Sequence, residues 1–166
     1  MASSCPEGVA GVSVTELDWR LSEAFDGPDV DAISAGLRAF NVAAGGIGSS
    51  RGLCCTVRTP SRVLVGGAVA RSWGECAELQ MLWVADGWRR RGLGAALLAR
   101  VEAEVAARGC RQLHLDTFSF QAPGFYAGRG FETELVIDGF PGGATKHLMR
   151  KTLARPTRIG QGRRAG

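Results

Sequence analysis

A short basic loop rich in glycine carries the residue types best suited to binding a phosphorylated ligand. The loop reads Arg89-Arg90-Arg91-Gly92-Leu93-Gly94-Ala95 and lies between an apolar stretch and a segment whose apolar residues recur at helical spacing. Unpaired backbone N–H groups and the helix dipole favour an anion at such a helix N-terminus. Glycine at 92 and 94 lets phosphate oxygens approach the backbone closely. We therefore expect the N–H groups of residues 91–95 to form an anion cradle.

The loop does not match the two most common phosphate-binding fingerprints. No Gly-Lys-Ser/Thr follows it, as a P-loop would require, and the dinucleotide pattern G-x-G-x-x-G is incomplete because residue 97 is Leu. A solvated, arginine-rich helix start with capping glycines has the same appearance. The structural elements that flank the loop distinguish an anion-binding loop from a solvated helix start.

The elements that flank the loop predict a β–α–β unit. Strict alternation in a strand at Ala77–Val84 puts Glu78 on one face with Gln80, Leu82 and Val84, and Leu79, Met81 and Trp83 on the other. After Gly92, apolar residues one helical turn apart predict a helix that ends at Gly109, where a left-handed residue is favoured. A strand at Cys110–Thr117 follows, so the two strands should be parallel with a right-handed connection.

The remaining patterns predict one domain of alternating strands and helices. We expect a first strand at 12–17, a helix from Pro28 to just before Gly45, a hairpin of strands 53–58 and 62–71, a short helix at 122–129 and a closing hairpin of strands 131–138 and 145–153. Gly66-Gly67 predicts a bulge or a close backbone approach. Residues 1–153 should form the domain, and the Arg/Gly/Pro-rich residues 154–166 a disordered tail.

Composition narrows the class of protein. The chain has 166 residues, 45% hydrophobic and 22% charged, which is ordinary for a globular domain. No apolar run is long enough to cross a bilayer, so we expect a cytoplasmic protein without membrane contact. The five Cys form no C-x-x-C pair, and we expect reduced thiols and no metal. The net charge of +4 comes from the loop and the tail, which does not favour a nucleic-acid partner.

Two motifs together make the chain resemble the GCN5-related N-acetyltransferases (GNAT) from its first strand to Leu153. The loop matches the family's pyrophosphate motif R-x-x-G-x-G. About thirty residues further on, Phe125-Tyr126-Ala127-Gly128-Arg129-Gly130-Phe131 resembles the family's F-Y-x-x-x-G-F signature. The resemblance implies an α/β fold with a mixed, mostly antiparallel central sheet of about six or seven strands. Its parallel β–α–β unit would open into a V-shaped cofactor cleft, with helices on both faces.

The resemblance also implies the cofactor and its contacts. Acetyl-CoA would lie with its pantetheine arm along the strand that ends in Val84, with the pyrophosphate at the glycine loop and Arg89 as the nearest side chain. An amide near Leu82–Val84 would hold the thioester oxygen. Ser119 stands where the family often has a cofactor-binding Asn, so a shorter contact is expected. The implied cofactor residues are Leu82, Trp83, Val84, Arg89, Arg90, Arg91, Gly92, Leu93, Gly94, Ala95, Ser119 and Tyr126.

Acid and base assignments follow from the proposed direct attack of an amine on the thioester. Tyr126 is the candidate general acid for the leaving thiolate, since phenol and thiol have comparable reference pKa values. Glu78 is the candidate base, because alternation puts it on the face of Leu82 and Val84. Asp116 and His147 compete with it, and a solvent-facing structural role remains open for all three.

The sequence leaves three functions open. The first is acetyl transfer from acetyl-CoA to a primary amine of a small molecule, such as a polyamine, an amino acid or an aminoglycoside-like compound. The second uses a protein N-terminus or lysine as acceptor. The third is a non-catalytic acyl-CoA-binding regulatory domain, which Tyr126 argues against. Exposed hairpin edges would allow a homodimer.

Overall fold

The computed structural model describes residues 17–21, 23, 26–45 and 50–154. Residues 12–16 of the expected first strand and residues 155–166 of the expected tail lie outside this range. The extent of the domain, residues 1–153, therefore stays a prediction. The chain divides into two compact units, Met1–Ala44 and Gly45–Gly166, and each is described by itself.

All but the last residue of helix α1 (Pro28–Gly45) belongs to the first unit; the helix begins at the predicted Pro28 and ends one residue later than predicted. Proline is tolerated in a first helical turn because its missing N–H would have no partner there. Asp29 and Asp31 also lie in that turn, where acidic side chains interact favourably with the helix dipole. The N–H of Asp31 donates to the carbonyl of Gly27 at 3.0 Å, which fixes the start of the helix.

The second unit is built on a sheet of six strands in the order β1-β2-β3-β4-β6-β5. The β3–β4 pair is parallel and all other neighbours are antiparallel, as predicted. The strands are β1 (Arg51–Arg58), β2 (Leu64–Trp73), β3 (Cys76–Val84), β4 (Gln112–Phe118), β5 (Glu132–Ile137) and β6 (Lys146–Thr152). Two helices complete the unit, α2 (Leu93–Ala107) between β3 and β4 and α3 (Pro123–Ala127) between β4 and β5.

Helix α2 packs against β1, β2 and β3 and closes the core of this unit. Its inward side chains Leu97, Val101 and Val105 are fully buried. A methyl group at Gly66 of β2 would meet the Leu93 and Leu97 side chains at 3.3 Å and the Trp83 carbonyl at 3.2 Å. The predicted close approach at the glycine pair is therefore confirmed. It lets the helix lie directly on the sheet.

A β-bulge at Gln80 changes which side chains of β3 face α2. Ala70 of β2 pairs with Leu79, but the preceding Val69 pairs with Met81, so Gln80 has no partner. Alternation restarts after the bulge. Leu82 and Val84 therefore join Ala77 and Leu79 on the α2 face, whereas Glu78, Met81 and Trp83 lie on the opposite face. The predicted grouping of Glu78 with Leu82 and Val84 is wrong for this reason.

Helix α2 ends with a Schellman motif centred on Gly109. The N–H of Cys110 donates to the carbonyl of Val105 at 3.0 Å, and the N–H of Gly109 donates to that of Ala106 at 2.9 Å. Gly109 has a φ of 94°. The prediction that this glycine is the left-handed cap of the helix is confirmed.

Replacing Gly109 with Ala should lower the free energy of unfolding by about 1 kcal/mol, because a Cβ is disfavoured in the left-handed region. Chemical denaturation monitored by circular dichroism measures the loss. Gly109→Asn should cost less, since Asn tolerates this conformation. Equal stability of the Ala variant and the wild type would contradict this account of the cap.

Candidate active site

The parallel strands β3 and β4 separate and open a cleft in the sheet. They pair only at Cys76 with Gln112, Ala77 with Leu113 and Glu78 with His114. From Leu79 and Leu115 onward, both strands line a cleft of about 960 Å³. The Glu78–His114 pair therefore closes one end of the cleft. The loop before α2 lies at the other end, since Arg89, Gly92 and Gly94 are also in its lining.

The cleft reaches both faces of the sheet. Leu82, Val84 and Tyr126 line it on the face that α2 covers, and Leu82 packs against the buried core. Met81 and Trp83, which also line the cleft, lie on the opposite face and are 64% and 48% exposed. Two ligands could therefore meet in the cleft from opposite sides.

The edge of β3 along the cleft carries unpaired backbone groups. The N–H of Ala85 donates to Val65 of β2 at 3.0 Å, and the Trp83 carbonyl also lies against β2 at Gly66. Because successive residues of a strand direct their polar groups to opposite sides, those of Leu82 and Val84 point towards the cleft. The Arg89 guanidinium binds the Val84 carbonyl at 3.1 Å, which agrees with this direction.

The N-terminus of α2 offers N–H groups without partners in the helix. The first intrahelical bond runs from the N–H of Ala96 to the carbonyl of Gly92 at 3.0 Å, so those of Leu93, Gly94 and Ala95 are left over. No side chain caps this end, and its first turn has no acidic residue. Gly92 is left-handed, with a φ of 80°. The result is a positive helix end that is open to an anion.

Gly94 has room for a side chain in the folded protein. A Cβ atom there would meet the Phe125 ring at 3.5 Å and Leu82 at 3.8 Å, which are ordinary van der Waals distances. Its backbone also lies outside the left-handed region. The fold therefore does not require glycine at this position, whereas a ligand that packs against the backbone would.

The three arginines of the loop have different surroundings. Arg89 bridges the Val84 carbonyl and the Asp86 carboxylate, the latter at 2.8 Å, and so ties the loop to the end of β3. Arg90 also lines the cleft and has a φ of 58°, uncommon for a residue with a Cβ. The Arg91 guanidinium lies 5.6 Å from the Trp88 ring centre, and its side chain does not line the cleft.

If the loop binds acetyl-CoA, as the resemblance implies, replacing Arg89 with Lys should raise the dissociation constant for acetyl-CoA several-fold, because a single ammonium cannot make the forked contact that links Val84 and Asp86. Isothermal titration calorimetry measures the change. Arg91→Lys keeps the backbone N–H of residue 91 and should bind acetyl-CoA with the affinity of the wild type. Equal affinities for all three proteins would remove Arg89 from the binding site.

Tyr126 lies in α3 with its ring packed and its hydroxyl open to the cleft. The ring is 8% exposed and makes edge contacts with Phe125 and Phe131, at centroid distances of 5.0 and 5.7 Å. Among the described residues the hydroxyl has no hydrogen-bond partner, yet it is not sealed from solvent. Burial raises the pKa of Tyr126, so the hydroxyl keeps its proton at neutral pH. It is available as a proton donor.

Neighbours of Tyr126 that the sequence did not single out also shape the cleft. The Arg129 guanidinium lies 3.8 Å from the Phe125 ring centre and donates to the Phe125 carbonyl at 2.8 Å. The side-chain carbonyl of Gln121 accepts hydrogen bonds from Thr117 and from the N–H of Phe118. The F-Y-x-x-x-G motif contains Phe125 and Arg129, but its spacing alone does not reveal that they pack on each other.

Each of the remaining candidates has a side-chain or backbone partner of its own. The Ser119 hydroxyl accepts a hydrogen bond from the N–H of Thr145 at 3.1 Å and is absent from the lining, so its predicted cofactor contact stays a prediction. Glu78 binds Arg71 on the neighbouring strand. Asp116 lines the cleft and pairs with Lys146, and His147 shares a hydrogen bond with the Thr145 hydroxyl.

Comparisons with known proteins agree with this architecture. The model of the "Acetyltransferase (GNAT) family" matches residues 19–131. The chain belongs to the GNAT family of acetyltransferases. It is similar to the blasticidin-S acetyltransferase of Streptomyces morookaense, 40% identical over 91 residues that make up 54% of this chain and 67% of that protein. It is also similar to an acetyltransferase of Agrobacterium fabrum, 33% identical over 118 residues, or 69% and 84% of the two chains.

A solved structure gives the same result for the fold. The crystal structure of an acetyltransferase from Bacillus cereus superposes with a TM-score of 0.69 at 26% identity, covering 80% of this chain and 98% of the other. The GNAT acetyltransferase family and the mixed α/β fold expected from the sequence are therefore confirmed. Within the described ranges, no helix is long and apolar enough to span a membrane, and no group of three metal-ligating side chains is found.

Proposed function

We propose that this acetyltransferase transfers the acetyl group of acetyl-CoA to a primary amine of a small molecule. The observation that carries the proposal is the convergence of two kinds of unpaired backbone on one cleft. Leu82 presents a strand N–H and C=O, Val84 presents a strand N–H beside a carbonyl that Arg89 already binds, and residues 93–95 present helix N–H groups. An extended ligand with amides in its middle and a diphosphate at one end satisfies both.

Acetyl-CoA fits the residues present. Its pantetheine amides would pair with β3 as an additional strand does, and its pyrophosphate would accept hydrogen bonds at the N-terminus of α2. Arg89 and Arg90 at the same end of the cleft supply positive charge. The room around Gly94 supports a ligand that packs on bare backbone there. When bound, the thioester supplies an activated acetyl carbonyl with a thiolate leaving group.

Tyr126 would donate a proton to the leaving sulfur. Its hydroxyl opens into the cleft, and burial keeps it protonated. A raised pKa makes it a weaker acid than free tyrosine, so the positive end of α2 and the loop arginines have to stabilise the phenolate that forms. An N–H of Leu82 or Val84 would polarise the thioester carbonyl.

A small-molecule acceptor is supported by the relative from Streptomyces morookaense, whose name assigns it to blasticidin S. The opening on the face of Met81 and Trp83 would admit such an acceptor opposite the cofactor. A thiol-release assay with acetyl-CoA and a panel of blasticidin S, spermidine, lysine and kanamycin tests the proposal. Release with one of these amines, and an acetylated product of matching mass, is the expected result.

Release only with peptide substrates would replace the small molecule by a protein acceptor. If acetyl-CoA binds but neither peptides nor panel amines release thiol, the transfer reaction itself is contradicted. The binding measurement thus separates a wrong acceptor from a wrong cofactor.

A further inference from the structure

The pair that closes the cleft consists of two ionisable residues, Glu78 and His114. They are the last partners of the parallel β3–β4 ladder, and the next residue of each strand already lines the cleft. Parallel partners present their side chains on the same face, so His114 lies beside Glu78 on the face opposite α2. Met81 and Asp116 lie on that face further along the cleft.

This face is the one from which an amine would enter if the proposed function holds. Tyr126 and the N-terminus of α2 lie on the other face and would contact the cofactor. An amine that attacks the thioester carbonyl would enter through the opening on the face of Met81 and Trp83. Its nitrogen would then approach the closed end of the cleft, which the Glu78–His114 pair borders.

The three ionisable side chains at this opening differ in their partners. The Glu78 carboxylate lies 2.5 Å from the Arg71 guanidinium, and the Asp116 carboxylate 2.8 Å from the Lys146 ammonium. Both carboxylates are therefore already held in ion pairs. In the described part of the chain, the His114 imidazole has no hydrogen bond or ion pair. The residue is partly exposed.

We propose that His114 is the group that accepts a proton from the attacking amine, with Glu78 beside it to stabilise the imidazolium. The inference rests on the proposed function and names the proton acceptor of the same site. As the C–N bond forms and the C–S bond breaks, one N–H proton passes to His114 and the Tyr126 proton passes to sulfur. Solvent then returns a proton to the phenolate and removes one from the imidazolium, which leaves an amide and a thiol.

The charges that face His114 come from every neighbouring strand. The Arg150 guanidinium, opposite His114 on β6, is held by Glu134 at 2.6 Å. The charged groups are Arg71 of β2, Glu78 of β3, Asp116 of β4, Glu132 and Glu134 of β5, and Lys146 and Arg150 of β6. Glu78, Asp116 and Glu134 are each paired with a cation.

The chain offers a matched control because it contains only two histidines, His114 and His147. With acetyl-CoA and the amine from the panel that turns over fastest, His114→Gln should lower kcat at least tenfold and leave the KM for acetyl-CoA unchanged. The decline of the wild-type kcat/KM towards acidic pH should become shallower, because the variant lacks the proposed proton acceptor. His147→Gln should behave like the wild type. The same amine is used with all three proteins, so protonation of the amine contributes equally to each pH profile.

Several outcomes would overturn the proposal while the proposed function stands. One is a wild-type rate and pH profile in His114→Gln, and another is loss of the acidic decline in Glu78→Gln alone. Thermal denaturation checks folding, and His114→Asn replaces the Gln variant if that protein is unfolded. Absence of acetyl-CoA binding or of turnover in the wild type would instead remove the proposed function, and this proposal with it.

A second readout does not depend on turnover. Carbon-bound imidazole protons of the two histidines give separate nuclear magnetic resonance signals, which the two Gln variants assign. Saturating acetyl-CoA should shift the His114 signal and leave the His147 signal in place. No shift at His114, with calorimetry showing that the cofactor is bound, would place the acetyl group elsewhere and contradict the proposal.

Discussion

Tyr126→Phe is expected to lower kcat by roughly a hundredfold or more, the range that general acid catalysis contributes. The substitution removes a hydroxyl that opens into the cleft without a hydrogen-bond partner among the described residues. It keeps the ring that packs edge-on against Phe125 and Phe131. Folding and acetyl-CoA affinity should therefore be unchanged, which a thermal denaturation curve and calorimetry can verify beside the thiol-release rate.

A lower kcat with an unchanged dissociation constant for acetyl-CoA identifies a proton donor. If Tyr126 only shaped the cleft, the Phe variant would keep its kcat. If the hydroxyl mainly bound the cofactor, the dissociation constant would rise together with the loss of rate. A wild-type kcat in Tyr126→Phe would exclude this residue as the proton donor. The leaving thiolate would then be protonated by solvent.

Gly94→Asp is expected to weaken acetyl-CoA binding on the order of a hundredfold while the protein folds normally. A carboxylate in the first turn of α2 suits the helix dipole, and a Cβ at this position meets nothing closer than 3.5 Å. The same carboxylate would lie against the expected pyrophosphate. Like charges about 4 Å apart near a protein surface repel by up to about 4 kcal/mol, and a hundredfold loss of affinity needs about 2.8 kcal/mol.

Two control variants separate charge, size and position. Gly94→Ala adds only a methyl group, which should stabilise the helix slightly and weaken binding less than Asp. Gly87→Asp carries the same charge in the loop before α2, at a glycine that does not line the cleft. Equal losses at 87 and 94 would mean that net charge alone matters, and no loss at 94 would place the pyrophosphate elsewhere.

The sequence predicted the elements of the second unit because their signals are local. Gly92 and Gly109 bound α2, and the apolar spacing between them has a single helical interpretation. Every end of β1–β6 lies within two residues of the predicted bound. The small differences arise because the final pairs of a strand depend on its neighbours. The strand order β4-β6-β5 joins distant segments, and no local pattern determines it.

The geometry of the candidate site was harder to predict from the sequence because one β-bulge changes it. A single unpaired residue, Gln80, moves every later side chain of β3 to the other face. Alternation therefore grouped Glu78 with the wrong neighbours. His114 gave no signal either, since its relation to Glu78 exists only through the short parallel ladder. The glycine loop and Tyr126 were found because their motifs are contiguous in the chain.

Amide hydrogen exchange with and without acetyl-CoA is the most direct test of the central claim that this cofactor binds between β3 and β4. Saturating acetyl-CoA should slow exchange at Leu82, Val84 and residues 93–95, whose N–H groups have no partner strand or helical carbonyl among the described residues. Strand β1, on the far side of β2, should be unaffected. Protection outside these segments, or none in the presence of bound cofactor, would contradict the account.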